Sequence, residues 1–261
     1  MSAASLGNTL IEPDWPVPRR VRALVTTRAG GDSEPPYDSF NLAFHVGEAA
    51  QRVRGNRRRL LAEAGIHAVQ WLDQEHGRRV LAASSLTAAG GPFTADASWT
   101  AARELGLAVL VADCVPLLLA NVDGSLVAVV HCGWRGTIDG VVEATVDALP
   151  ESPTRLIAWL GPGVCGACYE VGSDVRDALE TDEREAVLVE QHSGRGAARK
   201  WRMDLPALIV ARLRRTGVER IVPSSLCTIC DKRFYSYRRD GRTGRFAALI
   251  WRTGEGELER T

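Results

Sequence analysis

Apolar residues fall in short runs along this chain, each closed by a polar cluster. The longest, LAVLVADCVPLLLANVDGSLVAVVHCG (107–133), is too continuous for half-exposed strands and reads as two or three buried ones. NVDGS (121–125) within it is a hairpin turn. VRALVTT (21–27), RLIAWLGP (155–162), ERIV (219–222) and RFAALIW (245–251) read as further strands. The spacing becomes helical in EAAQRVRGNRRRLLAEAG (48–65), where Val53, Leu60, Leu61 and Ala64 share a face and Gly65 suits a C-terminal cap. Its arginine-rich face reads as solvated. GTIDGVVEATVDAL (136–149) reads as one helix. DLPALIVARLRRTG (204–217) reads as an amphipathic helix capped by Asp204. RAGGDSEPPYDS (28–39) is a loop, and TDEREAVLVEQHSGRGAARK (181–200) has the weakest pattern and reads as a surface segment. The pattern predicts a single α/β domain over 21–261, after an extended lead-in over 1–20.

Composition narrows the partners. Across 261 residues, 32 basic and 32 acidic side chains cancel, which removes a bulk electrostatic case for nucleic acid or an anionic membrane. Lys200 and Lys232 are the only lysines, so arginine supplies the rest of the basic charge. The first twenty residues carry acids and prolines rather than a signal-type apolar run. No window approaches the ~18 apolar residues of a membrane span. A cytoplasmic protein is expected, acting on a small molecule as a monomer or homodimer. Its six cysteines are then reduced, and their spacing points first to metal or catalysis.

Three segments share one design: an apolar strand ending in reactive residues. They are WLDQEHG (71–77), LVADCVP (110–116) and VVHCGWRG (129–136). Such strand ends collect the sites of α/β folds. If the strands lie side by side, His76, Cys114 and His131 converge, and two imidazoles with a thiolate make a zinc set with one position open. A structural role for each residue alone is the competing reading. Asp73 and Asp113 stand close enough to orient an imidazole or move a proton. Copper is disfavoured, because Met1 and Met203 are the only methionines and neither neighbours a candidate ligand. Cys132 alternates with His131 and falls on the opposite strand face, as a buried thiol. CGAC (165–168) and CTIC (227–230) read first as buried free thiols, with a Cys₄ zinc site as the alternative. GRTGR (241–245) after FYSYRRD (234–240) places Arg238, Arg239, Arg242 and Arg245 around a turn, suited either to phosphate or to plain solvation.

In order along the chain, NLAFHVGE (41–48), DQEHG (73–77), ADCVP (112–116), HCGWRG (131–136), GPGVCGACYEVG (161–172) and YSYRRDGRTGR (235–245) resemble the signatures of the bacterial YfiH, or laccase-domain, family. Its members are also named polyphenol oxidase, purine nucleoside phosphorylase and peptidoglycan editing factor, and the human protein FAMIN is similar. The resemblance spans about residues 21–252. It implies a layered α/β sandwich with a mixed sheet core. It implies a metal triad of His76, Cys114 and His131, the residues already chosen from their strand-end positions. It implies phosphate-dependent cleavage of adenosine, inosine or methylthioadenosine, with adenosine deamination. Asn41 and the arginines of SYRRDGRTGR (Arg238, Arg239, Arg242 and Arg245) match family positions lining the pocket. Cys132, Cys165 and Cys230 depart from the usual pattern, leaving the triad intact.

A zinc-dependent enzyme of purine nucleosides is therefore the first expectation. Cys114 and His131 are its catalytic centre, with Asp73 or Asp113 as proton carriers. Arg135, Arg238 or Arg245 hold phosphate, and Arg135 has a structural ion pair as its alternative. A metal-free hydrolase editing peptidoglycan precursors, with Cys114 as nucleophile and a histidine as base, is the second. Copper phenol oxidation and a zinc-stabilised binding protein are the remaining readings.

Overall fold

The apolar run 105–132 folds into strands that divide between two sheets. In the computed structural model, which describes residues 10–191 and 198–254, Leu105–Val111 belongs to a five-stranded sheet. Val115–Asn121 and Val127–Cys132 belong to a six-stranded sheet. The chain changes sheet across Ala112, Asp113 and Cys114.

The first sheet runs in the order Leu10–Ile11, Val21–Thr26, Phe246–Arg252, Leu105–Val111, Ala68–Gln70, antiparallel except for its last pair. The second runs Arg220–Pro223, Leu156–Leu160, Val115–Asn121, Val127–Cys132, Ala97–Thr100, Val80–Ala82. Its two outermost pairings are parallel and its centre antiparallel.

Three apolar clusters separate the layers. Val109 and Val111 of the first sheet meet Leu118, Ala120, Val127 and Val129 of the second. The second sheet's outer residues, among them Leu117, Ala128 and Val130, pack under helices Val141–Ala148 and Leu205–Arg215. Leu24, Ala108 and Leu249 on the first sheet's outer face pack under Leu60 of helix Ala50–Ala64. The architecture is a helix–sheet–sheet–helix sandwich with mixed sheets. Strand alternation assigns the faces. Val127 and Val129 point between the sheets, so His131 does too, whereas Cys132 joins the helix-covered core. Burial pushes the Cys132 thiol well above its ordinary value, as suits a packed, inert cysteine.

Four readings of local sequence change. The helix expected over 136–149 is two helices, Trp134–Ile138 and Val141–Ala148, because Gly140 takes a left-handed conformation (φ 92°) between them. The weak segment 181–200 contains helix Thr181–Val187 and strand Leu188–Gln191 and ends at the start of its antiparallel partner Lys200–Met203, with residues 192–197 outside the described ones. Its Glu183 is buried against Arg212 and Arg215, partners some thirty residues on that a local pattern cannot reveal. Arg57, from the face expected to be solvated, lies 3.8 Å over the Trp71 ring and donates to Leu42 O. In the lead-in, Leu10–Ile11 pairs with Val21–Thr26, and residues 1–9 lie outside the described ones, as do 255–261. No helix among the described residues is long and apolar enough to cross a membrane.

A candidate metal centre and active site

His76, Cys114 and His131 do converge, by a route different from adjacent strands. Cys114 sits where the chain crosses from one sheet to the other. His131 ends an inner-facing strand row, and His76 follows the short strand Leu72–Asp73. Their ligand atoms lie within 4.8 Å of one another. His76 Nε2 is 3.8 Å from Cys114 Sγ, and the two imidazoles meet edge to face with centroids 4.7 Å apart. His76 (φ 63°) and Asp113 (φ 94°) both occupy left-handed backbone. Such conformations cost about 1–3 kcal/mol each and persist where surrounding contacts enforce them, often at functional sites.

For His76 the enforcing contact is Asp96, which the sequence reading missed. Its carboxylate is fully buried and accepts N–H bonds from Glu75, His76 and Gly77 at 2.8–3.2 Å. It also lies 2.8 Å from His131 Nδ1. One acid thus shapes the turn carrying His76 and orients His131, leaving His131 Nε2 for the centre. The only sequence signal was a lone acid before the strand Ala97–Thr100.

Burial alone would raise the Asp96 carboxyl, but the His131 bond and the backbone amides hold it below the usual range. Burial would likewise raise the Cys114 thiol. The charge of His131 and hydrogen bonds from both imidazoles outweigh it and bring Cys114 down to about 6. Against its own burial, His131 is raised to about 9 by Cys114 and Asp96.

The three residues open onto a cavity of about 340 Å³ that is also lined by Arg135, Arg238 and Arg245. Arg135 lies over the Trp134 ring, Arg238 over Tyr169, and Arg245 is braced by the carbonyls of Thr243 and Gly244. Among the described residues none of these three arginines has an ion pair with a carboxylate. The ion pair offered as the alternative for Arg135 is not made with any described residue. Gln74, His45, Tyr169 and Tyr237 complete the polar lining. Partial desolvation at the cavity's edge, then the charge of Arg245, lowers the exposed His45 from its ordinary 6.5, which favours its neutral form near pH 7.

Two expected site residues stand outside this cavity. Asp73 is exposed on its short strand and is absent from the lining. Asn41 is fully buried, spanning Ala43, Glu48 and the Arg245 N–H, so it braces the arginine's backbone. Asp113 does line the cavity, but both of its oxygens are engaged, by Thr228 Oγ1 at 2.6 Å and Arg238 N–H at 2.7 Å.

A family model described as multi-copper polyphenol oxidoreductase laccase matches residues 22–253. The chain belongs to this laccase-domain family. It is 43% identical to a purine nucleoside phosphorylase of Pseudomonas aeruginosa over 94% of this chain and 98% of that one. It is 41% identical to the purine nucleoside phosphorylase YfiH of Escherichia coli, over 93% and 98%. Among solved structures, a Neisseria meningitidis protein superposes with a TM-score of 0.86 at 39% identity, covering 94% of this chain and 100% of that chain. YlmD from Geobacillus stearothermophilus superposes at 0.82 and 29% identity, over 90% and 93%.

The donor set of this laccase-domain chain fits a borderline metal such as zinc: two imidazoles, one thiol of lowered pKa, and an oriented tautomer. The cradle is close. A Cβ on Gly133 would stand 2.6 Å from His76 Cδ2 and 3.2 Å from Cys114 Sγ. A blue-copper set would need a thioether, and Met203 lies in the helix-covered core instead. The CxxC pairs also differ from expectation. They are not buried separate thiols: their four sulfurs lie within 4.8 Å of one another, and Cys230 is exposed.

Proposed function

We propose that this protein is a zinc-dependent purine nucleoside phosphorylase, with adenosine deamination as a second activity of the same centre. The observation that carries the reading is one cavity joining three candidate metal ligands to three guanidinium groups that lack carboxylate partners among the described residues. The names of the Pseudomonas and Escherichia relatives point the same way.

A zinc ion held by His76, Cys114 and His131 supplies Lewis acidity beside the substrate. The protein's own groups do the rest. Arg135, Arg238 and Arg245 bind the phosphate dianion and offset its charge. Phosphate then displaces the purine at the anomeric carbon, so the glycosidic C–N bond breaks as a C–O bond forms. His45, neutral near pH 7, offers the base one N–H and one lone pair. Asp113 acts by position, fixing Arg238 through its backbone. Asn41 does the same for Arg245. Asp73 does not line the cavity and has no part in this scheme.

The alternative, a Cys–His hydrolase, draws support from the Cys114 thiol at about 6 and the imidazole that Asp96 orients. Metal and nucleophile compete for one sulfur, so metal analysis with thioester trapping separates the two. One equivalent of zinc, bound through nitrogen and sulfur, lost on Cys114→Ala, with no trapped thioester in the wild type, supports the phosphorylase. A metal-free, thioester-forming enzyme contradicts it.

A further inference from the structure

Cys165, Cys168, Cys227 and Cys230 take no part in the scheme above, and all are free thiols. Although Cys168 and Cys230 stand 62 residues apart in sequence, their sulfurs lie 3.4 Å from each other. All four sulfurs fall within 4.8 Å of one another. A tetrahedral zinc with Zn–S near 2.3 Å requires sulfur separations of roughly 3.8 Å, which this cluster reaches with small side-chain adjustments.

The backbone is built for the same purpose. Each pair sits on a tight turn: the Cys168 and Tyr169 N–H groups donate to Cys165 O, and the Asp231 N–H donates to Cys227 O. The turns are joined by a parallel bridge between Gly163 and Cys227, with Gly163 N–H on Leu226 O and Thr228 N–H on Gly163 O. The Cys165 N–H points at Cys227 Sγ, 3.5 Å away, as amides do that support a ligating thiolate.

We propose that these four cysteines hold one structural zinc ion, separate from the His76–Cys114–His131 centre, which clamps two loops together along the wall of the active-site cavity. The first loop supplies Val164 and Tyr169 to the cavity. The second supplies Thr228, whose hydroxyl donates to Asp113 at 2.6 Å. Arg239 Nη1 ties the carbonyls of Thr228 and Ile229 to the arginine turn, and the Arg238 N–H binds Asp113. Releasing the ion therefore loosens the carboxylate and the guanidinium that border the metal centre, without removing any group that touches substrate. The four cysteines are positioning residues.

The test is zinc stoichiometry with X-ray absorption at the zinc edge, on the full chain. Cys114→Ala is expected to retain one zinc with an all-sulfur shell near 2.3 Å. The double variant Cys168→Ser, Cys230→Ser alters partly exposed thiols. It is expected to lose one zinc relative to wild type, to keep a mixed nitrogen–sulfur shell, and to show a raised KM for phosphate. A Cys114→Ala protein without sulfur-bound zinc overturns the proposal. So does a double variant with the wild type's full zinc, or a wild type whose intact mass shows a Cys168–Cys230 disulfide. Sulfur-bound zinc in a wild type whose triad is empty supports this second site and contradicts the phosphorylase reading, so the two fail separately.

Discussion

Asp96 Oδ1 lies 2.8 Å from His131 Nδ1, and the same carboxylate gathers the backbone amides of the turn carrying His76. Two candidate ligands from distant parts of the chain are thus aimed by one buried acid. Asp96→Asn keeps the shape but weakens the acceptor and the imidazole's orientation. Zinc affinity of the triad should fall about 10- to 100-fold, as for other carboxylate–histidine pairs. Competition with a chromogenic chelator measures it. Unchanged affinity would show that Asp96 serves only the turn.

The three arginines predict a phosphate effect separable from the metal. Replacing Arg135 or Arg238 by Gln removes charge-assisted bonds worth about 1.5–3 kcal/mol, or roughly 10- to 100-fold in the KM for phosphate. Zinc content should not change. An altered nucleoside KM with an unaltered phosphate KM would move the anion site elsewhere.

His45 gives a pH dependence. Partial desolvation first, then the charge of Arg245, lowers it from 6.5 in the fold. Below 6.5 the unfolded chain takes up a proton that the folded one resists. Its contribution to stability is therefore full above 6.5 and is lost as pH falls through the folded value. The wild type should lose more unfolding free energy between pH 7 and pH 5 than His45→Gln, as read by urea titration. The His45 ring resonances should titrate below 6.5 by NMR, and titration above it would contradict the assignment.

Much of this was legible in the sequence because it is local. Strand runs, the Asp204 cap and the face assignments of His131 and Cys132 follow from periodicity within a few residues. The convergence of His76, Cys114 and His131 was legible because each closes an apolar run. What escaped depends on partners distant in sequence. Asp96 is one acid before a short strand, and its meaning comes from His131, thirty-five positions on. Asn41 and Asp73 carried suggestive motifs, yet packing turned one inward to the backbone and left the other exposed. The CxxC pairs could be counted, but their encounter needed the parallel bridge at Gly163.

Glu183 tests the helix within the segment that carried the weakest pattern. Its carboxylate is buried between Arg212 and Arg215. Glu183→Ala leaves the guanidinium of Arg212 with Glu143 as its only carboxylate partner among the described residues and should cost about 3 kcal/mol, the low end for a broken buried pair. Chemical denaturation reads this directly, and a change under 0.5 kcal/mol, the ordinary surface range, would mark the cluster as solvated.

The most direct test of the function is product identity. The zinc-loaded protein, given adenosine and inorganic phosphate, is followed by phosphorus NMR and by chromatography of the bases. Purine base, adenine together with any hypoxanthine from deaminated substrate, should appear in step with ribose 1-phosphate, and both should vanish in Cys114→Ala. No base release, or base released with free ribose and no phosphate ester, would contradict phosphorolysis at this centre.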